Sequence, residues 1–377
     1  MNKLLIVANV DWFVISHRLC IAREASKQGW DVFVACEDTG RKNEIEVDGI
    51  TFVDFKFSRS GTNPLNEIIT LSKFLKLYKE INPDVVHHVT LKPVTYGTLV
   101  GKFLKVKGIL NAVSGLGYNF TGDRKGVVQT LMIKLMRFGF NRRNVTFIFQ
   151  NEDDQKALDE LKITTIKNKV ERIKGSGVDL DIFSESEFPS FDRIKVLLPV
   201  RMLWDKGVKE LREASGLLKN KYKDKFQFIL AGMADEDNKA GVPAQYLQEW
   251  QDGDYVKWIG YQKDMVSVYH DSHIVVLPSY REGMPKTLIE ACAIGRPIIT
   301  TDAIGCRECV DEGINGYKVP VYSIKELAEA IEKLALDQGA IIKMGKASRL
   351  KAEREFDVKN VVQKHLSIYE DLKSNLK

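Results

Sequence analysis

The sequence lacks the features that mark a secreted or membrane-spanning protein. Its 377 residues include only 5 cysteines, an odd set without disulfide-like spacing, which fits a reducing compartment. The apolar run at the start breaks at Asn9 and Asp11, too early for a signal-peptide core or a membrane span. No low-complexity tract argues for disorder. These absences predict a folded, cytoplasmic protein.

Two further absences limit the chemistry. No GxGxxG motif follows the first predicted strand, which counts against a nicotinamide-dependent oxidoreductase. Cys306 and Cys309 form a lone CxxC, but zinc would need two more ligands and a thioredoxin site would need a different surrounding. Packing near a loop is the better interpretation of this pair.

What the sequence does contain is an alternation of strand and helix patterns from end to end, typical of parallel sheets wound with helices. Predicted strands cover 3–10, 31–36, 51–57, 84–89, 109–113 and 145–150, and then 194–200, 226–232, 255–260, 273–279 and 297–301. The clearest helix has Asn63 as its N-cap, Pro64 in its first turn, and an end near residue 81. Others are predicted near 324–335, 340–355 and 358–373.

A segment rich in Gly, Ser and acidic residues, 175–193, separates the two halves and predicts the domain boundary. With roughly 100 to 200 residues per domain as a guide, two domains are expected. The expected division is an N-terminal domain at 1–180, a C-terminal domain at 181–357, and a final helix at 358–377.

The net charge of +5 is unevenly distributed. The stretch from Lys102 to Arg143 contains nine basic residues and a single acidic one, Asp123. It also includes an apolar helical pattern at 127–140. A basic amphipathic helix of this kind can lie on an anionic membrane surface. A core helix with a solvated cationic edge predicts the same pattern, so the sequence leaves both interpretations open. No nucleic-acid partner is expected.

The strongest chemical pattern lies at 278–302, where a buried strand, a short loop and a helix follow one another. The helix should begin after Pro285 and end at Gly295. A helix N-terminus at the carboxyl end of a parallel strand binds anions, because free N–H groups and the helix dipole face the crevice. The candidate phosphate pocket is lined by Gly283, Met284, Pro285, Lys286 and Thr287.

Two carboxylates, Glu282 and Glu290, lie on either side of that turn. Carboxylates accept well from vicinal hydroxyls, as on a ribose or hexose. A loop charge and an exposed helix residue would give the same spacing, so position alone leaves their function open.

A second strand-loop-helix pattern lies at 199–211 and carries Arg201 and Lys206. Two cations at a strand's carboxyl edge suit a diphosphate, since Arg forms forked hydrogen bonds and Lys supplies a point charge. Alone, either would more often be a surface residue.

Together, the Glu282-x7-Glu290 motif, the Arg201–Lys206 loop, the VLPSYREG strand end and the TD-x2-G-x2-E stretch at 301–308 resemble family 4 of the retaining glycosyltransferases. The resemblance implies the GT-B fold, in which two Rossmann-like domains face each other across a cleft and the last helix crosses back to the N-terminal domain. It implies an acceptor in the N-terminal domain and a nucleotide diphosphate sugar in the C-terminal domain.

By the same resemblance, Glu290 holds the ribose hydroxyls and Glu282 contacts the donor sugar. Arg201 and Lys206 are implied to neutralise the diphosphate, and Gly260 to lie near the base. The family needs no divalent metal, and we expect no cofactor. Two DxD strings, 179–181 and 252–254, are therefore not assigned to a metal; the first lies in a stretch that resembles the family's interdomain linker.

The N-terminal half, at 84–97 and 112–120, resembles a branch that builds bacterial surface polysaccharides, including hexosaminyltransferases acting on undecaprenyl-diphosphate sugars. Where many members carry a donor-contacting histidine this chain has Val89, so the resemblance offers His88, Thr90 or Lys92 in its place. His87 and His88 end a strand, with one side chain expected in the core. The segment 9–18 is expected to be a loop that contacts donor phosphates or acceptor, with Arg18 foremost. Gly115 and Gly117 complete the candidate acceptor loops.

The resulting prediction is a metal-independent, retaining glycosyltransferase. It would move a hexose or N-acetylhexosamine, with UDP favoured as the nucleotide, to a saccharide linked to undecaprenyl diphosphate, at the inner face of the cell membrane. A nucleotide-sugar epimerase of the same fold differs in consuming no acceptor. A catalytically silent nucleotide-sugar sensor is the non-enzyme alternative.

Overall fold

The structure, a computed structural model, describes residues 1–57, 64–115 and 127–374. Two compact units make up the chain: Met1–Ser176 together with the residues from Lys359 onward, and Gly177–Val358. The predicted N-cap Asn63 lies outside the described residues.

Unit 1 alternates short strands with helices in the order expected for parallel pairing. Its strands are β1 (Lys3–Val10), β2 (Asp31–Glu37), β3 (Thr51–Asp54), β4 (Val85–Val89), β5 (Gly108–Val113), β6 (Val145–Phe149) and β7 (Lys169–Arg172). Its helices are α1 (Asp11–His17), α2 (Leu19–Lys27), α3 (Lys42–Ile45), α4 (Pro64–Ile81), α5 (Thr98–Phe103), α6 (Val127–Phe140) and α7 (Glu152–Glu160), followed much later by α14 (Val358–Ser374). A short π-helix, Pro93–Gly97, precedes α5.

All strands of this first sheet pair in parallel, in the order β3-β2-β1-β4-β5-β6-β7. The central strands are buried on both faces, which is why they read as nearly continuous apolar runs. The strand order reverses between β1 and β4, and crevices for ligands form outside the carboxyl ends at such a point.

Unit 2 repeats this architecture. Its strands are β8 (Ile194–Pro199), β9 (Phe226–Ala231), β10 (Val256–Gly260), β11 (Ile274–Leu277), β12 (Ile298–Thr301) and β13 (Gly316–Val319). Its helices are α8 (Val208–Tyr222), α9 (Ala244–Trp250), α10 (Met265–His270), α11 (Lys286–Ile294), α12 (Ile324–Ala335) and α13 (Gln338–Glu355). The parallel sheet has the order β10-β9-β8-β11-β12-β13, which reverses between β8 and β11.

Both units are thus α/β layers around parallel sheets, as predicted, while β7 and β13 were not foreseen. The segment predicted as a loop at 9–18 is mostly helical, because α1 starts at Asp11, directly after β1. Asp11 is fully buried and accepts hydrogen bonds from the backbone N–H of Thr39 at 2.6 Å and of Arg41 at 3.1 Å, which fixes the start of α1.

The segment that opens unit 2 is attached to that unit by a buried arginine. Arg296 is fully buried and donates from Nη2 to the hydroxyl of Ser186 at 2.8 Å and to the carbonyl of Glu187 at 3.1 Å. Its guanidinium also lies 4.4 Å from the ring centre of Phe188. Because a buried guanidinium is costly unless its N–H groups are satisfied, these bonds fix 186–188 against the sheet.

Candidate functional site

The predicted site residues of the second unit gather at the carboxyl edge of its sheet, where the strand order reverses. Arg201 and Lys206 follow β8, and Glu282 follows β11, the strand paired with β8. Gly207 makes this proximity possible: it has φ +74°, and a Cβ there would lie 2.2 Å from the carbonyl oxygen of Pro278. A side chain at this position would push the two strand ends apart.

Lys206 and Glu282 form the centre of the site. Lys206 Nζ lies 2.5 Å from Glu282 Oε1, and the two side chains are only 17% and 15% exposed. The same carboxylate oxygen lies 2.8 Å from Ser279 Oγ, which is also 3.0 Å from the carbonyl oxygen of Asp205. Because the pair is largely removed from water, its charges are less screened than those of a surface ion pair.

Glu290 lies one helix turn inside α11 and is also withdrawn from solvent. Its Oε2 accepts a hydrogen bond from the hydroxyl of Tyr269 at 3.1 Å, and its Oε1 lies 3.9 Å from Lys286 Nζ. Burial raises the pKa of Glu290, although the charge of Lys286 and the bond from Tyr269 oppose that shift. The Glu290 carboxylate is therefore held in position by Tyr269 through Oε2, while its Oε1 faces Lys286.

The loop between β11 and α11 is held in a fixed path by a close contact with Gly305. Gly305 has φ +81°, and a Cβ there would lie 2.4 Å from the carbonyl oxygen of Glu282. α11 then begins after Pro285, which has no side-chain cap. The first N–H groups of a helix have no partner in a preceding turn, so this end presents donors and a positive dipole.

Not every predicted pocket residue offers its side chain. Met284 is 8% exposed and packs 3.4 Å from the sulfur of Cys309, so only its backbone could contact a ligand. The side chain of Arg201 is 59% exposed and pairs with Asp235 at 3.3 Å. Gly260 ends β10, and its carbonyl accepts from Gly232 N at 2.8 Å. Tyr269, Ser279 and Asp235 are contacts of the site residues that the sequence analysis did not identify.

Both DxD strings form turns. Asp179 accepts from the backbone N–H of Asp181 at 2.9 Å, and Asp252 Oδ1 accepts from that of Tyr255 at 2.8 Å. Although burial opposes it, Lys219 and backbone donors hold the pKa of Asp252 below its usual range. In 1–57, 64–115 and 127–374, no three His, Cys, Asp or Glu side chains are grouped to hold a metal ion.

The cysteines of the CxxC string are core residues. Cys306 and Cys309 are free and fully buried. Burial raises the pKa of the Cys306 thiol to about 12 and holds the pKa of the Cys309 thiol well above its usual value. Thiols in this state are poor nucleophiles, which fits a packing role.

In unit 1, the structure corrects the prediction for His88. Both His87 and His88 are fully buried, because helices cover both faces of the sheet. His88 Nδ1 lies 2.8 Å from Asn111 Oδ1, and its Nε2 is hydrogen-bonded to the hydroxyl of Tyr78. Burial lowers the pKa of His88 to about 4, so the ring is neutral. With both nitrogens engaged, His88 is a core residue and lacks a free atom for a substrate.

Arg18 is likewise not on an open loop. It is 2% exposed between α1 and α2, donates to the carbonyl of His17 at 2.8 Å, and lies close to Tyr369 of α14. Lys92 is 15% exposed and pairs with Glu67 at 2.8 Å. Gly115 follows β5, and Gly117 lies outside the described residues.

Comparison with known proteins identifies the family. Residues 182–351 match the model described as glycosyl transferases group 1, and residues 3–151 match the model described as glycosyl transferase 4-like. The chain belongs to these glycosyltransferases.

Several relatives match this glycosyltransferase over nearly its whole length, and two of them have names that state an acceptor. One is the N,N'-diacetylbacillosaminyl-diphospho-undecaprenol alpha-1,3-N-acetylgalactosaminyltransferase of Campylobacter jejuni, 28% identical over 95% of this chain and 96% of the relative. The other is the UDP-Gal:alpha-D-GlcNAc-diphosphoundecaprenol alpha-1,3-galactosyltransferase of Escherichia coli, 23% identical over 92% of this chain and 90% of the relative.

The solved structure of sucrose-phosphate synthase from Thermosynechococcus elongatus is similar in fold. It superposes with a TM-score of 0.79 at 17% identity and covers 100% of both chains. Two parallel-sheet α/β domains of the GT-B type are thereby confirmed for this glycosyltransferase.

The burial of Glu290 leads to a testable titration. We expect its carboxyl, followed by carbon-13 NMR, to titrate above the range of an exposed glutamate. In Tyr269→Phe the pKa should rise further, because the variant removes a hydrogen bond to the charged form. Tyr222→Phe, which removes a phenol elsewhere in the unit, is the matched control and should leave the titration unchanged. An ordinary glutamate pKa in the wild type would contradict the buried geometry.

Proposed function

We propose that this glycosyltransferase transfers a hexose or N-acetylhexosamine, with retention, from a nucleotide diphosphate sugar to a saccharide on undecaprenyl diphosphate. The observation that carries the proposal is the Lys206–Glu282 pair beside the N-terminus of α11, at the strand-order reversal of unit 2. The names of the two relatives support an undecaprenyl-diphosphate acceptor, and the second supports UDP as the carrier.

In this proposal unit 2 holds the donor through complementary charges. The ammonium of Lys206 and the N–H groups of α11 would stabilise the diphosphate, with Arg201 reaching it from its exposed position. Glu290 would accept from the ribose hydroxyls, and Glu282 would contact the donor sugar.

The charge that develops on the leaving diphosphate would be met by these fixed donors, which need no reorganisation during the reaction. The proposed mechanism therefore needs no divalent metal. As the bond from the anomeric carbon to the diphosphate breaks, an oxocarbenium-like state develops, and the acceptor hydroxyl attacks from the same face. The leaving phosphate takes the acceptor proton. Glu282, engaged by Lys206 and Ser279, is assigned to sugar binding and not to nucleophilic attack.

The transfer reaction and its donor contacts are tested together. With UDP sugars and a GlcNAc-diphosphate lipid acceptor, we expect a product of unchanged anomeric configuration, formed in excess EDTA. Glu290→Gln should lower kcat/KM for the donor by roughly tenfold or more, or about 1.4 kcal/mol, for a lost charge-assisted contact. Lys206→Met should lower kcat more than it raises KM, because its charge acts on the leaving group.

Glu329→Gln, an exposed carboxylate on α12, is the matched control and should behave as the wild type. Wild-type kinetics for Glu290→Gln would contradict the assignment of Glu290 to the ribose hydroxyls. Full loss of activity in EDTA, restored by magnesium or manganese, would show that the metal-independent mechanism is wrong. Turnover of the donor without consumption of an acceptor would favour an epimerase.

A lipid-linked acceptor requires that the enzyme reach a membrane, and we further propose that unit 1 binds its anionic surface. No helix in 1–57, 64–115 or 127–374 is both long and apolar enough to span a bilayer. α6 does not offer a whole apolar face, since Ile133, Met136 and Phe140 are buried in the core. The sequence had left the core and membrane interpretations open, and the structure favours the core for most of this helix.

What remains exposed is a smaller surface that combines aromatic rings with cations. Phe103 and Phe138 are 69% and 53% exposed, with ring centres 6.4 Å apart. Lys102 Nζ lies 3.3 Å from the ring centre of Phe138. A recess next to them is lined by Lys105, Val106, Lys107, Arg142, Arg143 and Asn144. Aromatic rings at headgroup level and cations near anionic lipid are the usual elements of reversible interfacial binding.

Liposome sedimentation tests this surface. Binding should rise with anionic lipid content and fall at high salt, since each nearby cation contributes roughly 1 kcal/mol that salt screens. The triple variant Lys105→Ser, Arg142→Ser, Arg143→Ser and the double variant Phe103→Ser, Phe138→Ser should each reduce binding.

The control removes the same charge from unit 2, as Lys221→Ser, Lys325→Ser, Lys343→Ser, and should bind as the wild type. An equal loss of liposome binding in this control would show that binding depends only on the net charge of the protein. Absence of wild-type binding at low salt would contradict a membrane-binding unit 1 and favour a soluble acceptor.

A further inference from the structure

Three basic side chains are buried together where α14 packs on the sheet of unit 1. Arg18 lies between α1 and α2, His87 lies in β4 and His365 lies in α14, and each is at most 2% exposed. The ring centres of His87 and His365 are 5.5 Å apart, and the charge of Arg18 acts on both rings. These three residues form a basic cluster that takes no part in the proposed transfer reaction.

The face of α14 that covers this cluster is closely packed. His87 Nδ1 lies 2.7 Å from the hydroxyl of Tyr369, whose ring also meets that of Trp30 with centres 6.0 Å apart. Leu372 lies so close to the start of β5 that a Cβ at Gly108 would be 2.7 Å from the Leu372 Cβ. Because such an interior leaves little room for water, a charge added to the cluster can be hydrated only if the helix moves.

The hydrogen bonds of the two histidines leave one nitrogen of each ring without a partner. His365 Nδ1 lies 2.8 Å from the carbonyl oxygen of Val361, which can only accept, so the neutral ring carries its proton on Nδ1. In the described part of the chain, Nε2 of His87, Nε2 of His365 and Nε of Arg18 are buried without a hydrogen-bond partner. A protonated imidazole has N–H on both nitrogens, so either histidine would then hold a charged donor in the interior without an acceptor.

The ionisable groups that face the cluster do not offset its charge. They are a phenol, a thiol and a third imidazole: Tyr369 of α14, Cys20 of α2 and His88 of β4. No carboxylate among the described residues acts on the cluster. Burial, followed by the charge of Arg18, lowers the pKa of His365 to about 3. Burial, together with His365 and Arg18, holds the pKa of His87 well below its ordinary value.

This arrangement couples the packing of α14 to pH. A histidine whose pKa is lowered by burial binds a proton more tightly once it is exposed to water. Its contribution to the packing of α14 is therefore complete above about pH 6.5, the pKa of a free histidine, and is lost as the pH falls toward the lowered value. Both histidines respond to the same movement, because His365 leaves the interior with α14 and His87 is uncovered when α14 departs.

We propose that the basic cluster is an acid-sensitive latch, which releases α14 from unit 1 when His87 and His365 are protonated. The chain passes between its two units at 176–177 and again at 358–359, and the second passage leads into α14. Release of α14 therefore leaves the first passage as the one whose two ends are both anchored. His88 points to the opposite face of β4, where Tyr78 of α4 covers it, so the sheet keeps that side of its core.

Hydrogen–deuterium exchange of the full chain tests the latch without any substrate. Between pH 5.5 and pH 4.5 the protection factor of the α14 amides should fall roughly hundredfold, since release takes up two protons. Over the same interval the protection factors of α4 in unit 1 and of α12 in unit 2 should stay within about threefold. Return to neutral pH should restore the protection of α14.

Variants of His365 separate the latch from a general effect of acid. His365→Leu and His365→Asn each remove one of the two titrating rings, and the Asn amide can still donate to the Val361 carbonyl. In both, the protection factor of α14 should fall only about tenfold over that interval, because one proton is taken up instead of two. Asp371→Asn, which removes the half-exposed ion pair of α14 with Lys169, and His270→Leu in unit 2 are the matched controls. Both should keep the decrease seen in the wild type.

Three results would overturn the proposal. The first is a decrease of about tenfold or less for α14 in the wild type, which would mean that two histidines are not protonated on release. The second is an equal decrease in the wild type and in both His365 variants, because the response would then come from other groups. The third is loss of protection in α4 together with α14, which would show that acid unfolds unit 1 as a whole.

Discussion

The charge pair between Lys206 and Glu282 is the interaction on which the candidate site of unit 2 depends. It joins the segments that follow β8 and β11, two strands adjacent in the sheet but distant in sequence. The contact requires those segments to approach closely, which Gly207 allows by presenting no Cβ to Pro278. Once formed, the pair fixes a cation and a carboxylate at the mouth of the crevice, with most of their surface removed from water.

The two glutamates of the motif differ because their surroundings differ. Glu282 is neutralised by a lysine at contact distance and receives a further hydrogen bond from Ser279. Glu290 has a lysine only at 3.9 Å and a phenol donor, and burial raises its pKa. A neutral ligand edge rich in hydroxyls would satisfy Glu290 without bringing in more charge, whereas a diphosphate would compete with Glu282 for Lys206. The two parts of the site therefore differ in charge: the Lys206 ammonium lies on the Glu282 side, near the N-terminus of α11, and the Glu290 carboxylate lies inside the helix.

The sequence predicted those parts of the molecule that depend on local pattern. Parallel strands buried on both faces read as apolar runs, and loop-helix motifs at 199–211 and 278–302 follow their strands directly. Both sheets and most residues of the candidate site in unit 2 could therefore be located from the sequence. The strands β7 and β13 were missed because each has only four residues and neither reads as a continuous apolar run. The two end residues of β7 are exposed, and the two middle residues of β13 are partly exposed.

The misses in unit 1 have a different cause. The resemblance offered His88 in place of the usual histidine and placed Arg18 on a ligand-contacting loop. Both side chains are buried because of what packs against them: Tyr78 from α4 in one case and Tyr369 from α14 in the other. The sequence around residues 88 and 18 contains no pattern that predicts these distant packing partners. Thr90, another residue that the resemblance offered, has φ +72° and donates to Asn9 Oδ1 at 2.9 Å. This conformation and this bond are equally invisible in the sequence, since both depend on the register of β1 against β4.

Calorimetric titration of the wild type and of Lys206→Met with UDP and with UMP, in excess EDTA, measures directly whether Lys206 binds the second phosphate. The wild type should bind UDP more tightly than UMP, because only the diphosphate reaches the ammonium and the N-terminus of α11, and Lys206→Met should lose most of that difference. Equal affinity of the wild type for UDP and UMP, or an undiminished preference for UDP in Lys206→Met, would show that this edge of unit 2 does not bind a diphosphate in the way described.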